Sequence, residues 1–383
     1  MRKVAIVGIG QTPVGEHWDA SIRMLAADAV QAALDDAQVK TVDALYVGNA
    51  YGASFSSQSQ IGALVADYAG LGGIEAFTCE AGDASGGAAL RTGYLAVASG
   101  AVETALVIGV EKSSDTVSTA HVRARNVSLD ADFEAVHGAT LPALAALLMR
   151  RYMHEYGVDL SAFENFSINA HANGGKNAKA MYRNQIKPGA FARAPMVSDP
   201  INLFDSAPDA DGAAAVILTT AERAADLVPT PVEIIASAAA TDTMTLHERS
   251  NLLHLRAVAS SVAKAYQQAG VANGDIDLFE LHDAFTIVSA LTLEAAGFAT
   301  PGEGWRLAKD GQIGLTGALP ISTFGGLKSR GNPVGATGIY QAVEAVLQLR
   351  GAAGANQVAN ARIAMIQSLG GLASTAITHI LSV

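Results

Sequence analysis

The stretch around residues 74–99 places the tightest constraint on this chain. An apolar-leaning run over 74–79 breaks through Ala81-Gly82-Asp83-Ala84-Ser85-Gly86-Gly87 into a helical pattern that continues to about Ser99. A strand that turns through small residues into a helix presents one side chain beside the free N–H groups of the helix start. Proteins place a nucleophile or bind an anion there. The residue presented here is Asp83.

With 383 residues, half of them hydrophobic and 16% charged, the chain is long enough for two units with their own cores and too apolar for disorder. Apolar runs alternate with helical periodicity, which is an α/β signature. Strands are expected over 4–10, 42–47, 104–111, 211–218, 232–236, 277–281, 363–367 and 374–381. Helices are expected over 22–37, 58–69, 253–269, 287–296 and 337–349. The run over 104–111 is nearly continuous in apolar residues, the pattern of a strand buried on both faces of a parallel sheet. The strand and helix order repeats, and the turn at Asp83 has a counterpart at Asn332, so two halves are expected, 1–225 and 226–383. Residues from 112 to about 200 are irregular, with helices over 142–155 and 161–173, and read as an insertion lying over the core.

Several function classes fall away. The run over 4–10 ends in Gly8-Ile9-Gly10, but a dinucleotide fingerprint needs a third glycine where Pro13 stands. The net charge of −11 and the lack of any Lys/Arg cluster argue against a nucleic-acid partner. The single cysteine, Cys79, excludes an internal disulfide and a Cys-rich zinc site. Nine scattered histidines show no metal-ligand spacing, so no metal is expected. The N-terminal residues run straight into a strand pattern, and no apolar run approaches ~20 residues. The expectation is a soluble, cytoplasmic protein with no membrane partner.

Catalytic groups in α/β sheets gather at strand C-termini and helix N-termini. Three segments qualify. One is the Asp83 turn; another is Glu280-Leu281-His282-Asp283-Ala284-Phe285, where an apolar strand stops at a histidine. The third is the Gly-rich run over 325–338, which opens a helix without the Gly-Lys-Ser/Thr of a P-loop.

Together with Gln367-Ser368-Leu369-Gly370-Gly371, these segments resemble the four signature regions of the thiolase superfamily. The resemblance spans essentially the whole chain and is nearest to the sterol-carrier-protein-type and archaeal branch. It implies a five-layer α-β-α-β-α sandwich of two similar halves with an inserted loop region. It also implies a homodimer that binds a coenzyme A thioester, acyl-CoA, under that insertion, with no permanently bound cofactor. The family places a nucleophilic cysteine where this chain has Asp83, and a Gly-His-Pro motif reads Gly331-Asn332-Pro333. Ala284 stands where this branch has an acid/base cysteine, and Ser368 takes the place of another family cysteine. His282 matches the histidine that polarises the thioester oxygen, with Gly370 and Asn332 expected beside it. Cys79 lies four residues upstream of the turn, within the strand, and reads as a small buried hydrophobe.

An aspartate at a helix start gains ~0.3–1 kcal/mol from the dipole and the free N–H groups. That favours its charged form, while burial opposes it. A carboxylate is a weak nucleophile toward a thioester, so Asp83 reads as a general base or as an N-cap. His282 reads as an oxyanion-stabilising group or as a satisfied core residue. Tyr340 reads as core. Three functions are compatible with these residues. The first is carbon–carbon bond cleavage or formation on acyl-CoA without an acyl-cysteine, of the retro-aldol type. The thiolase-like lyases that do this work with an OB-fold, zinc-ribbon partner. The second is a non-catalytic CoA-binding or scaffolding subunit. The third, a conventional acetyl-CoA acyltransferase, would need a nucleophile that the motifs do not supply.

Overall fold

The apolar runs become the strands of one continuous mixed sheet, and the helices cover it in layers. A computed structural model describes residues 1–187 and 189–383. The chain begins with β1 (Val4–Gln11), α1 (Ile22–Ala37), β2 (Ala44–Gly48), α2 (Gly52–Phe55), α3 (Ile61–Tyr68) and β3 (Glu75–Cys79). It continues through α4 (Ser85–Ser99), β4 (Thr104–Glu111), α5 (Ser118–Arg125), α6 (Leu141–Tyr156) and α7 (Glu164–Gly174). A small hairpin, β5 (Met196–Ser198) and β6 (Ile201–Asn202), precedes β7 (Gly212–Thr220) and α8 (Ala221–Leu227). Then come β8 (Val232–Thr241), α9 (Arg256–Ala269), β9 (Leu278–Glu280), α10 (Thr286–Ala295), α11 (Gly304–Lys309) and α12 (Gly326–Ser329). The last elements are α13 (Thr337–Leu349), β10 (Ile363–Gly370) and β11 (Thr375–Ser382).

The strand order is β3-β2-β4-β7-β1-β8-β11-β10-β9. The same arrangement occurs twice. In the first half β2 is parallel to β3 and β4, while β7 is antiparallel to β4 and β1. In the second half β9 and β10 are parallel, and β11 is antiparallel to β10 and β8. The counterpart of β3 is reduced to one parallel bridge, Phe279 to Ile321. The halves meet at a short antiparallel seam, Ala5 with Glu233 and Ile6 with Val232.

Three large apolar clusters fill the spaces between five layers, the middle one serving both faces of the central helices. Alternate strand residues face opposite sides, so β4 sends Leu106 and Ile108 one way and Val107 the other. Leu106 and Ile108 pack with Leu25 and Ala29 of α1 and Val65 of α3. Val107, Val216, Ile366 and Leu381 close on Leu90 and Val97 of α4 and on Ile339 and Val343 of α13. On the far side, Phe279, Met365 and Ile380 pack with Val258 and Val262 of α9 and Leu291 of α10. The two central helices are therefore enclosed between half-sheets, with α1/α3 and α9/α10 outside.

The sheet is mixed where the apolar run over 104–111 suggested parallel pairing. The cause is topological: the chain leaves β4 at Glu111 and returns beside it at Gly212, so β7 must run the other way. The helix expected from 58 begins at Ile61, because Ser57 and Gln60 both have left-handed φ, 51° and 54°. The stretch read as a boundary around 225 contains α8, whose start is capped by Thr220 accepting from the Arg223 N–H. Tyr340 is fully buried and donates to the Thr12 carbonyl at 3.0 Å, as expected of a core residue.

Helices α4 and α13 touch backbone to backbone. A Cβ on Gly338 would lie 2.4 Å from the Gly87 nitrogen, and one on Gly86 would lie 2.8 Å from the Gly335 carbonyl oxygen. Replacing Gly338 with alanine therefore forces the helices apart and is expected to cost about 1–3 kcal/mol. Gly72→Ala, which meets nothing within 4 Å, should stay within about 0.5 kcal/mol of wild type. Urea unfolding of both variants tests this; equal midpoints would show that the helices tolerate separation.

Candidate functional site

The close packing of α4 and α13 puts their N-terminal turns at the same end of the molecule. Asp83 and Asn332 lie there, each 2–3% exposed, together with His282, which leaves the end of β9. Gly370, at the end of β10, abuts the same turn: a Cβ on Gly82 would be 3.6 Å from its Cα. The site thus collects Asp83, His282, Asn332 and Gly370, as the motifs suggested.

Asp83 is not a helix cap. The N-cap of α4 is Ala84, and no side chain accepts from the first turn. Both oxygens of Asp83 are instead taken by Arg125 of α5, whose Nη1 and Nη2 donate at 2.8 and 3.0 Å. The Tyr51 hydroxyl donates a third bond at 3.0 Å, and the Arg125 guanidinium lies over the Tyr51 ring at 4.8 Å. A bidentate guanidinium is the strongest partner a carboxylate finds in a protein. Burial pushes the Asp83 carboxyl up, but Arg125 outweighs it and holds the group below the usual carboxylate range.

Arg125 also reaches Asp209, with its Nε 3.0 Å from Oδ2. The same oxygen meets Nε2 of His121 at 2.9 Å, and the His121 ring stacks on Phe55 at 4.9 Å. The Asp209 bond, opposed by burial, pushes His121 above its ordinary value. Asn332 lies on the other side of Asp209, its Nδ2 at 3.5 Å. Backbone bonds fix this register: the Asn332 N–H donates to Pro208 at 2.9 Å, and the Ala210 N–H to Asn332 at 3.0 Å. The Thr337 hydroxyl donates to Asn332 Oδ1 at 2.8 Å, which leaves the amide little freedom.

His282 is 2% exposed, and its Nδ1 has no hydrogen-bond partner among the described residues. Burial holds it below its ordinary value, against the opposing pull of Asp83 and Asp283, which favours the neutral imidazole. Next to it, Asp283 accepts from the Leu327 N–H at 2.8 Å and ties the His282 loop to α12. Ala284 is half-buried and receives the Ala207 N–H at 2.8 Å through its carbonyl. The Ser368 hydroxyl donates to Gln341 at 3.0 Å and faces the α4–α13 contact near Gly87 and Gly338.

A buried carboxylate ties the Tyr51 loop to the turn that opens α13. Glu111 accepts from the N–H groups of Ala50, Tyr51 and Gly335 at 2.9, 3.2 and 3.2 Å. Burial pushes it up to about 7 despite those bonds. Above the site, a cavity of about 420 Å³ is lined by His121, Arg125, Thr140, Ser206, Asp209 and Phe285. Tyr51, His121, Arg125 and Asp209 were not singled out in the sequence. The spacing of His121 and Arg125, i and i+4 on one helix face, was the available signal.

Residues 4–195 match the family described as thiolase, N-terminal domain, and residues 238–383 match thiolase C-terminal domain-like. The chain belongs to the thiolase superfamily. It is 42% identical over 384 residues to an acetyl-CoA acetyltransferase of Methanothermobacter thermautotrophicus, covering all of both chains. It is 28% identical over 386 residues to sterol carrier protein 2 of Bos taurus, covering 96% of this chain and 70% of that protein. Among solved structures it resembles an Ltp2-ChsH2(DUF35) aldolase with a TM-score of 0.87 at 27% identity, over 99% of this chain and 97% of that one. The resemblance to the sterol-carrier-protein and archaeal branch and the expected thiolase fold are thus both borne out. The chain is accordingly a thiolase-like, acyl-CoA-related protein of a family that uses CoA thioesters and needs no permanent cofactor. Among the described residues no helix is long and apolar enough to cross a membrane.

Removing Arg125 isolates a buried carboxylate. Arg125→Leu is expected to cost about 3–5 kcal/mol, and Asp83→Leu in the same chain should recover part of it. Because Asp83 is held low in the native state, the wild-type pair contributes fully above the ordinary carboxylate range. That contribution is lost only as pH falls below the range. In Arg125→Leu burial is left to raise the Asp83 carboxyl, so the isolated charge penalises the variant most at neutral pH, and protonation relieves the penalty as pH falls, narrowing the gap to wild type. Urea midpoints from pH 3 to 8 read this out; parallel wild-type and variant profiles would contradict it.

Proposed function

We propose that this protein acts on an acyl-CoA thioester without forming an acyl-enzyme, in carbon–carbon bond cleavage or formation of the retro-aldol type. The observation that carries this reading is the state of Asp83, ionised and gripped by Arg125 and Tyr51. A carboxylate held ionised by a guanidinium is a poor nucleophile toward a thioester, while it can still accept a proton. Nor is Cys79 a substitute. It lies in β3, half-buried, with its sulfur 3.6 Å from the Thr92 hydroxyl, and burial pushes its thiol up, away from the reactive thiolate.

In this reading Asp83 accepts the proton of a β-hydroxyl group, and the bond between the α and β carbons breaks. The electron pair passes to the thioester as an enolate. His282, whose buried Nδ1 has no partner among the described residues, donates from that nitrogen as Nδ1–H to the enolate oxygen beside Gly370 and Asn332. The accepted proton then returns to the α carbon. Arg125 keeps Asp83 available as an acceptor throughout the neutral range while making it a weak one. The similarity to an aldolase named with a DUF35 component supports the chemistry and a partner protein; that the partner is of the OB-fold, zinc-ribbon kind and that the chain pairs as a homodimer belong to the same proposal.

A second reading, a non-catalytic CoA-binding subunit, draws on the same ion pair, since both Asp83 oxygens are already occupied. Panels of β-hydroxyacyl-CoA and β-ketoacyl-CoA, assayed with and without the partner, separate the two. Lyase turnover is expected, with Asp83→Asn lowering kcat about 10²–10⁴-fold. Binding of CoA without any turnover would leave the subunit reading. An acyl adduct in the intact mass after incubation with acetyl-CoA would overturn both and restore conventional acetyl transfer, the activity named for the archaeal relative.

A further inference from the structure

A second cavity, of about 530 Å³, lies beside the first and is walled by Tyr182, Ile186, Leu203, Phe204, Ala207 and Pro208. Val197, Ser206 and Ala207 line both cavities. The walls are mostly apolar, with Asn184, Gln185 and Lys187 at the exposed edge, and His171, its ring parallel to Tyr182 within 9°, adds a flat surface. Into this lining comes the side chain of Lys328, 2% exposed.

A buried ammonium is costly unless its donors are met. Lys328 has three donors, and its one hydrogen bond among the described residues goes to the Asp205 carbonyl. Burial pushes the amine down to about 8, against the pull of Asp283 and Asp205. A leucine or methionine would fill the same space without this cost. The position is also rigid: α12, which carries Lys328, is tied through Leu327 to Asp283, the neighbour of His282. Lys328 is therefore held in a set relation to the histidine of the site.

We propose that this cavity receives the acyl group of the thioester, and that Lys328 donates to a carbonyl oxygen on that group, remote from the sulfur. The proposal rests on the reading of the site as one for CoA thioesters. The mostly apolar walls suit a bulky hydrocarbon group, and the shared lining sets it next to the Arg125 cavity. A neutral acceptor fits better than a carboxylate, because Asp205 and Asp283 already face the ammonium.

Calorimetric titration with CoA, decanoyl-CoA and decanoyl-CoA bearing a ketone on its penultimate carbon tests the proposal. Wild type should bind the ketone form at least about ten-fold more tightly than decanoyl-CoA, as one hydrogen bond to a charged donor implies. Lys328→Met should abolish that preference. Leu203→Trp narrows the cavity from an exposed rim position and leaves the Lys328–Asp205 bond intact. It should weaken both acyl forms about ten-fold relative to CoA. Equal binding of the two acyl forms by wild type, a preference that survives in Lys328→Met, or an unchanged acyl-to-CoA ratio in Leu203→Trp would overturn the proposal while leaving CoA recognition intact. Failure of CoA itself to bind would overturn the underlying reading as well.

Discussion

The contact between α4 and α13 is the constraint on which the rest of this structure depends. Two helices enclosed between half-sheets can approach to backbone contact only if their facing residues lack side chains, and Gly86, Gly87 and Gly338 provide that. The approach aligns the two N-terminal turns, so a residue from each half arrives at the same end. Because the halves share one topology, Asp83 and Asn332 occupy corresponding places, and β9 and β10 add His282 and Gly370 from the adjoining half-sheet.

Electrostatics then decide what that collection can do. The site holds Asp83, Asp209, Arg125 and His121 in a chain of paired side chains that grows more buried toward Asp83, where charge interactions are stronger. Arg125 is central, bonded to both aspartates. It comes from α5, a short and largely exposed helix of the inserted region, so the ionisation state of the site depends on a surface element. Glu111, deeper still, holds the Tyr51 loop and the Gly335 turn with its two oxygens. The arrangement favours hydrogen bonding and charge stabilisation over covalent attack. That agrees with a site in which the helix-start residue is a carboxylate.

Much of this was legible in the chain itself. Apolar runs marked the strands, helical periodicity marked the covering helices, and small residues marked the turn at Asp83. The four motifs pointed to the family and to His282, Asn332 and Gly370, because residues at strand ends and helix starts are set by local pattern. The direction of β7 was not legible. It depends on where the inserted region returns, and no residue within β7 encodes that.

The partner of Asp83 was likewise decided only by the tertiary structure. Local rules favour an aspartate before a helix as a cap, since four N–H groups lie within reach. Arg125, forty-two positions along the chain, offers two charge-assisted donors in a buried setting, and that outweighs a neutral N–H. Lys328 shows the same division: its sequence neighbours place it in a Gly-rich loop, while its burial against an apolar cavity follows from segments around 182–208. The sequence alone thus determined the family fold, short of the direction of β7, and the presented side chains. Their ionisation and neighbours were decided by distant segments, because electrostatic pairing is governed by distance in space and by burial.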